Sequence, residues 1–332
     1  MSEPIRSGLR APALEPLLVG LVDYAGTFPP AGLDLEAAAA NFAGYRRSKW
    51  AWVLGRAAVA QGDLSSLAAW VREHDAGSAP WPITAVVGER FDRTADLVAA
   101  AAEQDPADDG LAGAGPALDV QAFECRVASA ADVTAAARAL APLVAAPTDV
   151  VVEVAADRPD DWAPLLDAIA AVGARAKLRT GAVVAAAIPP ADVVARFLVA
   201  CAARRLPVKL TAGLHHALCA TRALTYEPAG PIGPMHGFVN AYAAAGLAFE
   251  HGADVATVER CLLAPDARSF RATSAGLSVE LDGRAPAVLT TDQLRELRGR
   301  FISAFGSCSF DEPLEDLCAL GWLEHPARTP GT

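Results

Sequence analysis

A chain of 332 residues, 53% hydrophobic, carries enough apolar material for one large core, and its formal net charge of −11 argues against nucleic acid or an anionic membrane as partner. The six cysteines (125, 201, 219, 261, 308 and 318) show no CxxC spacing, so reduced cytoplasmic thiols are expected rather than a zinc knuckle or a disulfide framework. LEPLLVGLV near the N-terminus lacks a small-residue cleavage site, and charges break the Ala-rich runs before the ~20 apolar residues of a bilayer span.

In chain order, β-type apolar runs alternate with Ala/Leu-rich helical stretches, the pattern of a parallel α/β fold. LVDYAG (21–26) reads as the first strand, followed by a helix through EAAAANFAGYRR. WAWVLGRAAV (50–59) and PITAVVG (82–88) come next, the latter with a helix after it. ALDVQAFECRV (117–127) precedes a helix over SAADVTAAARALAPLV that Ser129 caps, with Asp132 in its first turn. DVVVEVA (149–155), ARAKLRTG (174–181) and LPVKLTAG (206–213) continue the series. Strand signals every 20 to 35 residues or so predict a single (β/α)8 barrel over residues 1–332, with a doubly wound sheet as the alternative. The rhythm then breaks. A hairpin with an Asp282-Gly283 turn, a Thr-capped helix and a last strand FISAFG (301–306) follow, so residues 217–297 read as an insertion between strands seven and eight, roofing the catalytic face.

Only three lysines (49, 177 and 209) stand against 25 arginines. Lys49 lies in the polar stretch RRSKW, whereas Lys177 and Lys209 sit late in two apolar strands, each with a glycine four residues on (Gly181, Gly213). On neighbouring strands, about 4.8 Å apart, both ammonium groups would enter one confined space at the catalytic end. Mutual repulsion and desolvation would lower an amine from about 10.4 toward ~7, which makes a Schiff-base nucleophile. Arginine cannot replace an amine that must lose its proton. The competing expectation is structural: a core lysine paired with Glu153 or Asp119 that braces the barrel.

These motifs resemble those of the class I deoxyribose-phosphate aldolases, over about two-thirds of the chain. AKLRTG (176–181) is similar to the family's strand-six V-K-T-S-T-G, which implies Lys177 as Schiff-base nucleophile. VKLTAG (208–213) resembles the strand-seven motif, which implies Lys209 as the pKa-lowering partner. The family's strand-four aspartate would fall on Asp119 of ALDVQ, as part of the enamine proton relay. LVDYAGTFPPAG resembles the opening strand and puts Asp23 in the barrel mouth; FGSCSF (305–310) resembles the turn after strand eight. Over its full length the chain also looks like bacterial proteins with TAGLHH, MHGF and FGSCSF stretches, a likeness that implies no function. No cofactor is implied, because the iminium itself is the electron sink.

The family's phosphate site uses glycine-rich turns after strands seven and eight. Here His215-His216 replace a glycine and an arginine, and Asp311-Glu312-Pro313 open the last helix with carboxylates that repel phosphate. Backbone N–H groups at Ser307, Cys308 and Ser309 remain on offer. Arg179, on the Lys177 face of its strand, suits a carboxylate or phosphate, or else an ion pair with Glu153 or Asp119. The expectation is a lyase of the aldolase type acting on a small, anionic carbonyl compound, with a homo-oligomer allowed for. Two alternatives stand beside it. One is a metal-dependent hydrolase or epimerase in which His215, His216 and His236 meet Glu124, Glu153 or Asp23. The other is a non-catalytic ligand-binding barrel.

Overall fold

The computed structural model describes residues 6, 8–88, 117–140 and 149–325. Eight parallel strands close into a barrel with helices around it. In chain order these are β1 (Val22–Tyr24), β2 (Leu54–Ala60), β3 (Trp81–Gly88), β4 (Leu118–Arg126), β5 (Asp149–Val154), β6 (Arg175–Arg179) and β7 (Val208–Thr211). The eighth barrel strand, β13 (Phe305–Ser307), follows five strands that lie outside the barrel. It pairs with both β7 and β1, and β1 pairs with β2 to complete the closure. The (β/α)8 expectation is therefore met.

Strand alternation sorts the side chains. Ile83, Ala85 and Val87 of β3, like Val152 and Val154 of β5, are buried in the apolar shell beneath the helices. That shell is covered by α1 (Glu15–Leu18), α2 (Leu35–Arg46), α3 (Leu64–His74), α4 (Ala130–Leu140), α5 (Trp162–Ala171) and α6 (Ala191–Ala203). Asp34 caps α2 by accepting from the Ala37 N–H at 2.7 Å, and Ser129 accepts from the Asp132 N–H ahead of α4, as its position predicts. The helix expected after β3 lies outside the described residues. The stretch Ala185–Ala203 is long and apolar enough by composition to cross a bilayer, contrary to the sequence reading. Within it, α6 buries Val194, Phe197, Leu198 and Cys201 in the barrel's outer core.

The insertion divides in two. Its first part forms a hairpin of β8 (Ala220–Ala223) and β9 (Ile232–Met235), and Leu224, Pro234 and Met235 face the ends of β6 and β7. The fully packed α7 (Phe238–His251) then stacks Phe238 on Phe305 of β13, as a wall helix does. The remainder comprises α8 (Val255–Leu262), β10 (Phe270–Thr273), β11 (Gly276–Val279), β12 (Ala287–Thr290) and α9 (Thr291–Arg300). Its three-stranded antiparallel sheet packs against Pro12–Leu14, ahead of β1, and so by the strands' N-terminal ends. The roof is thus limited to the β8–β9 hairpin, because α7 carries the chain back down the barrel wall before the sheet begins. The Asp282-Gly283 turn forms with both residues at positive φ, and the helix cap at Thr290 is a full capping box with Gln293. A final helix, α10 (Asp311–Ala319), follows β13.

At the mouth, β6 and β7 are pinned together. The Thr180 hydroxyl donates to the Ala212 carbonyl at 2.8 Å, and a Cβ on Gly181 would stand 2.4 Å from the Gly213 Cα. Gly181→Ala is therefore expected to destabilise the fold by about 1–3 kcal/mol, read from the urea midpoint of unfolding, since both neighbours are backbone and cannot yield cheaply.

Candidate active site

Five ionisable side chains from five strands meet inside the barrel in alternating sign. Lys209 Nζ lies 2.5 Å from Asp23 Oδ2 of β1 and 2.7 Å from Glu124 Oε1 of β4. The other oxygen of Glu124 accepts from Lys177 Nζ at 2.6 Å, and Lys177 reaches Glu153 Oε2 of β5 at 3.1 Å. Register explains the meeting: Glu153, Lys177 and Lys209 are direct partners across β5, β6 and β7. Burial is deep, with Asp23 1%, Lys209 2%, Glu124 4% and Lys177 7% exposed. Asp23 also accepts from the Arg56 N–H at 2.8 Å through Oδ1, an approach that only Gly55 permits, since a Cβ there would lie 2.3 Å from that oxygen.

The electrostatics follow from the alternation. Burial alone would raise the Glu124 carboxyl, but Lys177 and Lys209 overcome it and hold its pKa at about 2. Burial alone would lower the Lys209 amine, but Asp23 and Glu124 overcome it and hold it above its ordinary value. Lys209 therefore does not face Lys177 as a second bare cation, because Glu124 stands between them. The sequence reading put the two ammoniums in one space without the carboxylate that stands between them.

Asp119 does not belong to the site. It is exposed near the start of β4, five residues before Glu124 and so about 16 Å away along the strand. There it accepts from Gln121 Nε2 at 2.7 Å, part of a floor in which Arg56 reaches Gln121 and Asp149, and Arg175 reaches Asp149 at 3.0 Å. Glu124, at the catalytic end of the same strand, takes the place assigned to Asp119. Glu153 joins the site through Lys177. Tyr24 turns away from it, its hydroxyl accepting from Asn41 of α2 at 3.2 Å.

The three histidines separate. His215 is buried beside Glu312 (Nδ1 to Oε2, 3.2 Å), Ser307 Oγ (3.3 Å) and Cys308 Sγ (3.9 Å). Burial would lower its pKa, but Cys308 and Glu312 outweigh burial and raise it to about 9, so His215 is an imidazolium at neutral pH. His216 pairs with Asp316 of α10 at 3.2 Å, and His236 contacts the Pro189 carbonyl at 2.9 Å. Among the described residues no group of three or more His, Cys, Asp or Glu side chains is arranged to hold a metal ion. The expected histidine cluster is thus not formed: adjacent His215 and His216 point to different partners, and His236 is tied beneath the hairpin. Ser309 accepts from the Glu312 N–H at 3.2 Å and donates its own N–H to Ser307 Oγ, so it caps α10 rather than offering a ligand site.

Two participants escaped the sequence reading. Tyr226, beyond β8, donates to Glu312 at 3.1 Å and lies 3.8 Å from Cys308 Sγ, so hairpin, His215 and α10 share one contact. Only the tertiary fold joins residues 226 and 312. Thr211, the next inward residue of β7 after Lys209, is buried with no partner for its hydroxyl. Its register partner Arg179 is exposed and makes no ion pair among the described residues, including the pairs with Glu153 or Asp119 that its position allowed. A cavity of about 180 Å³ opens above, lined by Pro29, Pro30, Arg179, Gly213, His215 and Leu224 among others.

No protein-family model, curated protein or solved structure matches the chain. What the fold and site define is a (β/α)8 barrel with a buried, alternating lysine–carboxylate cluster at the end where such barrels carry their active sites.

Two outcomes follow from the cluster. Because the Glu124 pKa is depressed, its stabilisation is present above its ordinary value near 4.5 and lost as pH falls toward about 2, on the order of 3 kcal/mol at most. Urea unfolding between pH 6 and pH 2.5 is expected to show that loss, with a shallower slope in Glu124→Gln. Lys209→Met leaves Asp23 buried without its cation and is expected to cost about 3–5 kcal/mol in the same assay at pH 7.

Proposed function

We propose that the protein is a Schiff-base-forming lyase of the aldolase type, with Lys177 as the nucleophile. The observation that carries this reading is the position of Lys177: a buried amine between two carboxylates inside the barrel, two residues before Arg179, which lines a cavity at the ends of β6 and β7. Interiors of such barrels are ordinarily filled by branched aliphatic side chains. Two lysines and three carboxylates there are costly to desolvate, and buried ion pairs seldom repay that cost in stability, so bracing alone is a weak reason for them.

The chemistry divides among the groups by what each can release. Lys177 gives a proton to Glu153 and its free amine adds to the substrate carbonyl carbon, forming a C–N bond. The resulting hydroxyl takes the proton back and departs as water, leaving an iminium with the positive charge the ammonium carried. A carboxylate then removes a proton from the adjacent carbon, and the electron pair moves into the iminium to give an enamine. Glu153, which touches Lys177 and not Lys209, is placed for that proton transfer. Lys209, held protonated by Asp23 and Glu124, acts as a fixed positive charge that keeps Glu124 ionised and in place.

The ion pairs also fit the rival reading, a ligand-binding barrel in which both lysines stay protonated. Reductive trapping separates the two. With small aldehydes and 2-oxo acids plus cyanoborohydride, a saturable adduct is expected at Lys177, mapped by mass spectrometry, and absent in Lys177→Arg, which keeps the charge but cannot supply a free amine. Adduct spread over surface amines alone, unchanged in Lys177→Arg, would contradict the proposal.

A further inference from the structure

We infer that the substrate is a 2-oxo acid whose carboxylate, bonded directly to the carbon Lys177 attacks, is held by Arg179 and Thr211. The inference rests on the Schiff-base reading and names its substrate class. It is carried by two polar side chains on one level of the barrel that have no side-chain partner among the described residues. Strand alternation places Arg179 and Thr211 one inward step above Lys177 and Lys209, and the two are direct register partners across β6 and β7. The Thr211 hydroxyl is buried and unpaired, and the Arg179 guanidinium lines the cavity without an ion pair among the described residues. Buried hydroxyls are nearly always satisfied, so an orphan beside a reactive amine marks a place where a ligand oxygen belongs. Thr84 is also buried and unpaired, but its register with Ala122, and that of Ala122 with Asp149, puts it at the floor.

Distance selects the kind of anion. Lys177 and Arg179 are two residues apart on one strand, a span of about 6.5 Å, so one small molecule can meet both side chains. A planar guanidinium and a hydroxyl together match the two oxygens of a carboxylate. A phosphate at the far end of a longer substrate would instead reach the turn after β13. There the Glu312 carboxylate already occupies the imidazolium of His215, and Ser309 has spent its N–H on Ser307.

The test compares pyruvate with acetone, a carbonyl compound of similar size that lacks the carboxylate, in the trapping assay on the full chain. Wild type is expected to reach half-saturation of the Lys177 adduct with pyruvate at concentrations on the order of 10- to 100-fold below those for acetone. Arg179→Met should erase that preference, and Thr211→Val should reduce it by about 3- to 10-fold, each read as the ratio of pyruvate to acetone half-saturation within the same variant. A Lys177 adduct that forms equally well with both compounds, or a pyruvate preference that survives Arg179→Met, would overturn the carboxylate site while leaving the Schiff base intact. Calorimetric titration with oxamate, an unreactive mimic of the 2-oxo acid, reads the site without chemistry. Oxamate binding lost in Arg179→Met supports the site even if no lysine is trapped, and absence of oxamate binding to wild type contradicts it.

Discussion

Glu124 sits between two lysine ammoniums, and the rest of the barrel interior is arranged around that fact. Each of its oxygens takes one ammonium, at 2.6 and 2.7 Å, so neither lysine faces the other's charge directly. Asp23 closes one end of the row and Glu153 the other. Asp23 is fixed in turn by the Arg56 N–H and by the space that Gly55 leaves. Removing any inner member strands a buried charge, so the row behaves as one unit rather than as separable pairs.

The alternation also divides labour between the lysines. Lys209 is enclosed on both sides and held protonated, whereas Lys177 is the more exposed of the two. A single movable proton on Lys177, Glu153 beside it, and Glu124 held in place by Lys209 form a compact acid–base apparatus. The pinned ends of β6 and β7 and the β8–β9 hairpin enclose a small space whose lining includes Arg179 and His215.

Much of this was legible in the sequence, and for identifiable reasons. Seven strands announced themselves by apolar runs at barrel spacing and the eighth only beyond the insertion, and the two lysines by their rarity and by Gly181 and Gly213, which mark where β6 and β7 end. β4 was read with nearly its observed bounds, but its acidic residue was assigned by likeness to a family motif, so Asp119 near the start of the strand was read where Glu124 stands. The histidines misled because adjacency in sequence says nothing of shared partners, and His215 and His216 find different carboxylates on α10. Tyr226 and Thr211 were invisible for opposite reasons. The first depends on a contact across 86 residues of chain, and the second is notable only for a hydrogen bond it lacks.

Enamine formation at Lys177 is the step on which the account stands, and exchange of substrate hydrogen with solvent reads it without any second substrate. Pyruvate incubated with the protein in deuterated buffer is expected to lose its methyl proton signal in the NMR spectrum at a rate set by protein concentration, and Lys177→Arg should return that rate to the protein-free background. Exchange at the background rate with the wild-type protein, or equal exchange in wild type and Lys177→Arg, would contradict the account.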